Sequence, residues 1–311
     1  MIDPKILDWL LEGDVAIQYQ VHRDLLGHER PDLRKRIASE GWGARYLSAR
    51  NQAGHWGRAF YQPKWISTHY TVLDLKNLGI APEHQAIIES IELILREHVA
   101  QDGGVNPSKT IKNSDVCVNG MFLNYAAYFK LPEEQLQSII DFLINVHMAD
   151  GGFNCRLNHS GAVHSSLHTT ISVLEGIFEY ASNGYAYRTA ELVEMSAEAQ
   201  TFILQHSLYR SDRTGAIIDK RMVLLSYPTR WYYDILRALD YFQFADVKFD
   251  PRMSDALKVL KNKRRKNGTW PLQAKHPGQT HFDMEAPGKP SRWNTLRALR
   301  VLNKFEELAQ A

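Results

Sequence analysis

The sequence predicts an all-α fold, a closed (α/α)6 toroid of six helix pairs around a central cavity, formed by residues 1–311 as a single domain. Three observations predict it: a turn recurring about every 50 residues, amphipathic helical patterns between the turns, and no convincing alternating strand pattern. A chain of 311 residues can bury a sizeable core without disulfides or structural metals.

The recurring turn pairs glycine with an aromatic or apolar residue. The clearest copies lie at 52–56 (QAGHW), 101–106 (QDGGVN) and 150–154 (DGGFN), with weaker copies at 212–216 and 266–270. Helix pairs at this period stack on their neighbours, either in an open solenoid or in a closed ring. An open solenoid needs polar end caps, whereas the last helical pattern is rich in apolar residues, among them Trp293 and Leu296. Closure is therefore the favoured prediction.

Two classes of helix alternate along the chain. Patterns with apolar residues at i, i+3, i+4 and i+7 predict outer helices at 32–49, 82–99, 133–148, 188–206 and 252–265. Segments richer in aromatic and small residues predict inner helices at 15–27, 67–78, 114–129, 165–181, 229–243 and 291–305. The segment 3–11 supplies a sixth outer partner. Long polar loops precede several inner helices, and function is expected where such loops gather at one end of a ring.

Composition excludes several classes of protein. Apolar residues make up 44% of the chain and charged residues 23%, and 37 basic against 35 acidic residues give a net charge of +2. This balance predicts no nucleic-acid partner, and no apolar run has the length of a membrane span. The only cysteines, Cys117 and Cys155, do not form a disulfide framework, so a reducing cytoplasm is the predicted location. The sequence identifies no protein partner.

The sharpest group of chemically active residues is Asp115, Cys117 and His168. Asp115 and Cys117 open one inner helix, and His168 opens the next inner helix one repeat later. A carboxylate, a thiolate and an imidazole at one height form a three-ligand zinc site with an open position for substrate. The alternative is that Asp115 is a helix cap and Cys117 a small core residue.

The segment before Cys117 resembles the terpenoid cyclase and protein prenyltransferase β-subunit superfamily, whose members fold as α/α toroids. Lys109, Lys112, Asp115 and Cys117 match a prenyltransferase pattern of two basic residues, an aspartate and a cysteine, with lysine where arginine is usual. The resemblance implies that Asp115 and Cys117 bind zinc and that Lys109 and Lys112 hold the diphosphate of an isoprenoid donor.

Two further segments carry the resemblance. His168-Thr169 followed by Val173-Leu174-Glu175-Gly176 is similar to the stretch that holds the third zinc ligand, with a one-residue slip, and Gly268-Thr269-Trp270 is the best copy of a cyclase-type repeat turn. The chain departs from the family in placing two more repeats after the zinc segments and in having Val118 where a tyrosine usually follows the cysteine. The acidic D-x-D-D motif of the cyclases is absent.

Aromatic and basic residues on the inner helices are candidates for substrate binding. Basic–aromatic pairs stand at the starts of three inner helices, and Tyr125 lies on a fourth; the candidates are Lys64-Trp65, Arg230-Trp231, Arg292-Trp293 and Tyr125. The aromatic rings could bind an isoprenoid chain or stabilise a carbocation. Packing between helices and structural ion pairs are the alternatives for each of them.

These observations leave three hypotheses about function. The first is a zinc-assisted transferase that moves an isoprenoid or similar allylic group from a diphosphate to a thiol or other nucleophile. The second is a carbohydrate-active hydrolase, epimerase or lyase, although no paired carboxylates form a recognisable motif. The third is a non-catalytic toroid that binds a hydrophobic ligand or a protein.

Overall fold

A computed structural model describes residues 2–108, 110–156 and 160–305, and the regular secondary structure in this part of the chain is almost entirely helical. The prediction of an all-α chain is confirmed. The α-helices are α1 (Pro4–Leu11), α2 (Val15–Leu25), α3 (Pro31–Arg36), α4 (Gly41–Ser48), α5 (Thr68–Leu78), α6 (Gln85–His98), α7 (Val116–Tyr128), α8 (Gln137–Asn145), α9 (Leu167–Ser182), α10 (Thr189–Gln205), α11 (Ile235–Phe244), α12 (Ser254–Asn262) and α13 (Arg292–Phe305). Two short strands, β1 (Trp270–Pro271) and β2 (Pro290–Ser291), pair antiparallel. No helix among the described residues is both long and apolar enough to cross a membrane.

Two predicted helices differ from the observed ones for backbone reasons. The predicted outer helix at 32–49 is two helices, α3 and α4, because Gly41, where α4 begins, has a φ of 58°. The predicted inner helix at 229–243 begins only at Ile235, since Arg230 has a φ of 55°. A left-handed residue cannot continue a right-handed α-helix.

The recurring turn has one geometry in four of its copies. Its glycine has a φ between 83° and 88° at Gly54, Gly103, Gly151 and Gly268, a backbone that favours glycine. In each copy, a backbone N–H just after the turn donates to a side-chain oxygen on the following helix. The four bonds are Trp56 to Thr68 (3.1 Å), Val105 to Asn119 (2.7 Å), Phe153 to Thr170 (3.0 Å) and Trp270 to Thr295 (2.9 Å). The sequence repeat is therefore also a repeat of hydrogen bonds.

The chain forms two compact units. Unit 1 comprises Met1–Ala49, Asn77–Ala81 and Leu204–Ala311, and unit 2 comprises Arg50–Lys76 and Pro82–Ile203. In unit 1, the carboxylate of Asp240 accepts hydrogen bonds from Arg297 (3.0 Å) and Arg300 (2.5 Å), and Arg300 also donates to Asp24 (2.8 Å). These four side chains are buried, and buried charges are tolerated only with such pairing.

In unit 2, helices α7 and α9 pack with their backbones almost in contact. Gly120 of α7 faces Ser172 and Val173 of α9, and a Cβ atom on Gly120 would lie 2.7 Å from the carbonyl oxygen of Ser172. Gly176 of α9 faces the carbonyl oxygen of Gly120 in return. Only glycine permits this approach, which fixes the relative position of the two helix starts.

Candidate functional site: a pair of thiols in unit 2

The two cysteines of the chain lie against each other in unit 2. Cys117 is the second residue of α7, and its backbone N–H donates to the Sγ atom of Cys155 over 3.0 Å, although 38 positions separate the two residues. Both cysteines are free thiols and half-buried. The side chains of Cys117 and Cys155 also interact, and this interaction shifts the pKa of both thiols. The Cys155 sulfur therefore lies at the N-terminus of α7, where unpaired N–H groups and the helix dipole favour negative charge.

Thr169 on α9 holds Cys155 from a second direction. Its hydroxyl accepts the backbone N–H of Cys155 at 3.3 Å and lies 3.6 Å from the sulfur, to which it donates. Since the glycine contact between α7 and α9 fixes the two helix starts, Cys117 and Thr169 are held in place around one sulfur atom. The arrangement offers Cys155 an N–H, an S–H and an O–H donor.

The surroundings shift the pKa values of the two thiols in opposite directions. The hydrogen bond from the Cys117 thiol, with the Cys117 N–H and the Thr169 hydroxyl, lowers the pKa of the Cys155 thiol, and burial and Asp115 oppose this only in part. For Cys117, the hydrogen bond with Cys155 and burial together raise the thiol pKa well above its usual value. Cys155 is thus the more acidic thiol of the pair, and Cys117 keeps its proton. A thiolate is the nucleophilic form of cysteine.

Charged and phenolic groups surround the two sulfurs. Asp115 and the Cys155 sulfur raise the pKa of Cys117, and Lys64 lowers it. Lys64 is exposed, with its ammonium 4.8 Å from the ring centre of Trp65. Burial raises the pKa of Tyr61, so its phenol stays protonated. The site combines a nucleophile, a carboxylate and a cation.

A buried polar cluster lies on the adjacent helices. The Nδ1 atom of His69 and the hydroxyl of Tyr125 are 3.2 Å apart, and both side chains are fully buried. Burial, with a smaller contribution from Lys64, lowers the pKa of His69 to about 3, so the imidazole is neutral. The hydroxyls of Tyr61 and Tyr70 are 3.0 Å apart. Tyr125, predicted to bind substrate, is thus part of the core that supports the site.

The predicted zinc ligands meet a different partner. Asp115 and Cys117 lie together as the sequence predicts, but the side chain that contacts Cys117 is Cys155. Among residues 2–108, 110–156 and 160–305, no three His, Cys, Asp or Glu side chains are arranged to hold a metal ion. Zinc binding by Asp115, Cys117 and His168 therefore stays a prediction, and no step below passes through zinc.

The predicted diphosphate-binding lysines are placed only in part. Lys112 is exposed in the loop before α7, and Lys109 lies outside the described residues. Their role in holding a diphosphate remains a prediction.

The remaining predicted residues belong to unit 1. Arg292 donates to the backbone oxygen of Trp9 at 2.9 Å and so links α13 to α1. Trp231 stacks on Tyr232 with ring centres 3.9 Å apart, and Trp293 stacks on Tyr227 at 4.5 Å. These contacts join neighbouring parts of unit 1.

Arg230 lies in a small pocket of unit 1. The side chain is 5% exposed, and the pocket, about 30 Å³ in volume, is also lined by Tyr46, Tyr227, His276 and Glu285. A cavity of this volume has room for little more than a water molecule. A buried arginine with a left-handed backbone is a costly arrangement of the kind found at functional sites.

Cys155 and Thr169 were missed as site residues by sequence reasoning. The available signal was the repeat itself: Cys155 follows the turn glycines of 150–154, and Thr169 follows His168 at the start of the next inner helix. Cys155, just after the turn at 150–154, contacts the start of α9, the inner helix of its own repeat, and the start of α7, the inner helix of the repeat before it. The zinc pattern drew attention to His168 instead.

Comparison with known proteins gives the class of fold. No known protein family and no curated protein matches the sequence. The polysaccharide lyase BACCELL_00875 superposes on 99% of this chain and 98% of its own, with a TM-score of 0.54 and 11% identity. The predicted fold class, an all-α toroid, is confirmed at this level.

Two further structures are variants of the type II terpene cyclase MstE from Scytonema. The one in complex with its product, merosterolic acid A, covers 88% of this chain and 96% of its own, with a TM-score of 0.37 and 16% identity. The one in complex with its substrate, geranylgeranyl dihydroxybenzoate, covers 94% and 87%, with a TM-score of 0.44 and 14% identity.

Proposed function

We propose that the chain is a group-transfer enzyme whose nucleophile is the thiolate of Cys155. The observation that carries the proposal is the contact between the two thiols, with the Cys117 N–H 3.0 Å from the Cys155 sulfur. A cysteine that only packs in the core needs no such hydrogen-bond donors. A catalytic cysteine needs a lowered thiol pKa, so that more of it is thiolate at neutral pH.

The chemistry takes two displacement steps. The Cys155 sulfur attacks a carbon that bears an anionic leaving group; a C–S bond forms, and the bond to the leaving group breaks with its electron pair. The acceptor nucleophile then attacks the same carbon, and the C–S bond breaks to return the thiolate. Lys64 offers positive charge for the departing anion, and Asp115 takes the proton that the acceptor loses.

The substrate class we propose is an isoprenoid or similar allylic diphosphate, with a thiol or another nucleophile as acceptor. The support is the likeness of Lys112, Asp115 and Cys117 to the prenyltransferase pattern, together with the aromatic rings of Tyr61 and Trp65 beside Lys64. A diphosphate is an anionic leaving group of the kind that a nearby cation stabilises.

The test is intact-mass spectrometry of the reduced protein after incubation with dimethylallyl, geranyl or farnesyl diphosphate without an acceptor. We expect one prenyl group per chain, located at Cys155 by peptide mapping, and none on the Cys155→Ser variant. Cys117→Ser is the matched control and should still be labelled at Cys155. The proposal is wrong if none of the three diphosphates modifies the protein, or if the label lies on another residue.

A lyase acting on acidic polysaccharides is a second candidate, since the chain shares its fold with a polysaccharide lyase. Arg230, which has a left-handed backbone, would be its cation, and the small pocket around it, also lined by Tyr46 and His276, would have to open to admit a sugar. Elimination in a uronic acid needs a base for the proton beside the carboxylate and a cation for that carboxylate. A rise in ultraviolet absorbance of the unsaturated product, lost in Arg230→Ala and kept in Cys155→Ser, would favour this candidate.

A further inference from the structure

We propose that Cys117 and Cys155 form a reversible intramolecular disulfide by exchange with small-molecule disulfides, and that Cys155 is the residue that attacks the oxidant. The inference goes beyond the proposed function, because it concerns a covalent modification that does not depend on the enzyme's substrate.

The first argument is the distance between the two residues. The sulfur of Cys155 lies 3.0 Å from the backbone nitrogen of Cys117, although 38 positions separate the two residues. A disulfide requires two cysteines that are already neighbours, since the bond is only about 2 Å long. The fold brings the two residues together in this way.

The second argument is the division of roles between the sulfurs. The Cys155 sulfur accepts hydrogen bonds from Cys117 and Thr169 and lies at the start of α7, which favours its thiolate. Cys117 supplies a protonated thiol next to it. A nucleophilic thiolate beside a protonated resolving thiol is the arrangement that thiol–disulfide exchange uses.

The third argument is access. Both cysteines are half-buried. A reagent with a small disulfide can reach a partly exposed sulfur, while a partly buried product disulfide is protected from larger thiols. Lys64, exposed next to the site, favours oxidants that carry carboxylates, of which oxidised glutathione is the simplest.

The exchange balances in two steps. The Cys155 thiolate attacks one sulfur of a disulfide RSSR, so that Cys155 and RS are joined and one RS⁻ leaves. Cys117 then gives up its proton to solvent or to the released thiolate, and its sulfur attacks Cys155, releasing the second RS⁻. The small disulfide is reduced to two thiols and the protein loses two hydrogens. The product has no free thiolate at Cys155, so oxidation would switch off any reaction that uses it.

The experiment follows the mass of the full chain during incubation with oxidised glutathione under air-free conditions. We expect the wild type to lose two hydrogens and to regain them with a reducing agent, and a peptide map to join the segments containing Cys117 and Cys155. Cys117→Ser should stop at one glutathione on Cys155, because no second thiol resolves the adduct. Cys155→Ser should react at least about tenfold more slowly at neutral pH, since burial still raises the pKa of its remaining thiol, Cys117.

Three outcomes would overturn the inference: a stable glutathione adduct on the wild type, equal reaction rates for the two serine variants, or no reaction at all. Circular dichroism of each variant checks that it is folded. The readout is mass and not turnover, so a failure of prenyl transfer leaves it unaffected. Prenylation of Cys155 without disulfide formation would sink this inference alone.

Discussion

The backbone N–H of Cys117 donates to the sulfur of Cys155 over 3.0 Å, and this places the sulfur at the N-terminus of α7, where negative charge is favoured. The relationship explains why two cysteines in similar half-buried positions have thiol pKa values shifted in opposite directions. It also makes the acidity of one cysteine depend on the identity of the other.

Replacing Cys117 by alanine should raise the pKa of Cys155. The variant removes the S–H donor that contributes most to the lowered pKa of the Cys155 thiol. The rate of alkylation of Cys155 by iodoacetamide, measured by mass spectrometry as a function of pH, should therefore increase with a midpoint at higher pH than in the wild type. Cys117→Ser keeps an O–H donor, so its midpoint should lie between those of the wild type and Cys117→Ala. An unchanged pH profile in Cys117→Ala would show that the S–H donor has no such effect.

Removing the charge of Lys64 should slow anionic reagents selectively. In Lys64→Gln, the alkylation of Cys155 by iodoacetate should fall roughly threefold relative to iodoacetamide, because a nearby exposed cation is worth less than about 1 kcal/mol. Lys130→Gln, an exposed lysine after the C-terminal end of α7, is the matched control. A drop of the same size in Lys130→Gln would mean that the effect is general surface charge.

Adding a methyl group at Gly120 should destabilise unit 2. The new Cβ would lie 2.7 Å from the backbone of α9, so the two helices must move apart, at a cost of about 1–3 kcal/mol in the free energy of unfolding. Urea denaturation measures this cost. Glu194→Ala, on the exposed face of α10, should leave the midpoint nearly unchanged. A neutral Gly120→Ala would mean that α7 and α9 do not approach as closely as described.

Asp24 should make stability depend on acid pH. Burial raises the pKa of its carboxyl, but the charges of Arg300 and Arg23 outweigh this and leave the folded pKa below the ordinary 3.8. A lowered pKa contributes stability above 3.8 that is lost as the pH falls through the folded value. Asp24→Asn should therefore be less stable than the wild type at neutral pH, and the difference should shrink below pH 3.8. Denaturation curves at several pH values test this, and a difference independent of pH would contradict it.

Much of the fold could be predicted because residues close together in sequence determine each turn and helix of the repeat. Glycines that need a positive φ and apolar residues at helical spacing predict turns and helices without knowledge of distant contacts. The helix breaks at Gly41 and Arg230 could not be predicted in the same way. Each depends on a backbone conformation that tertiary contacts impose.

The candidate site was predicted less completely than the fold. Asp115 and Cys117 lie at the start of one helix, as the sequence indicates, and the two residues fall within a single turn. The meeting of Cys117 with Cys155 depends on how two repeats pack, and no local pattern encodes the distance between them. The sequence predicts that Tyr125 binds substrate, because an aromatic residue on an inner helix gives the same sequence pattern whether its ring contacts a ligand or the core.

The absence of side chains at Gly120 and Gly176 has a further consequence for the thiols, which lie near the starts of the same helices. The donor from Cys117 comes from α7 and the donor from Thr169 comes from α9, so the spacing of the helices sets the spacing of the donors. A methyl group at Gly120, one turn from Cys117, would push α7 and α9 apart and so increase the distance between the two donors around the sulfur. The reactivity of Cys155 is in this sense tuned by two positions that never touch it.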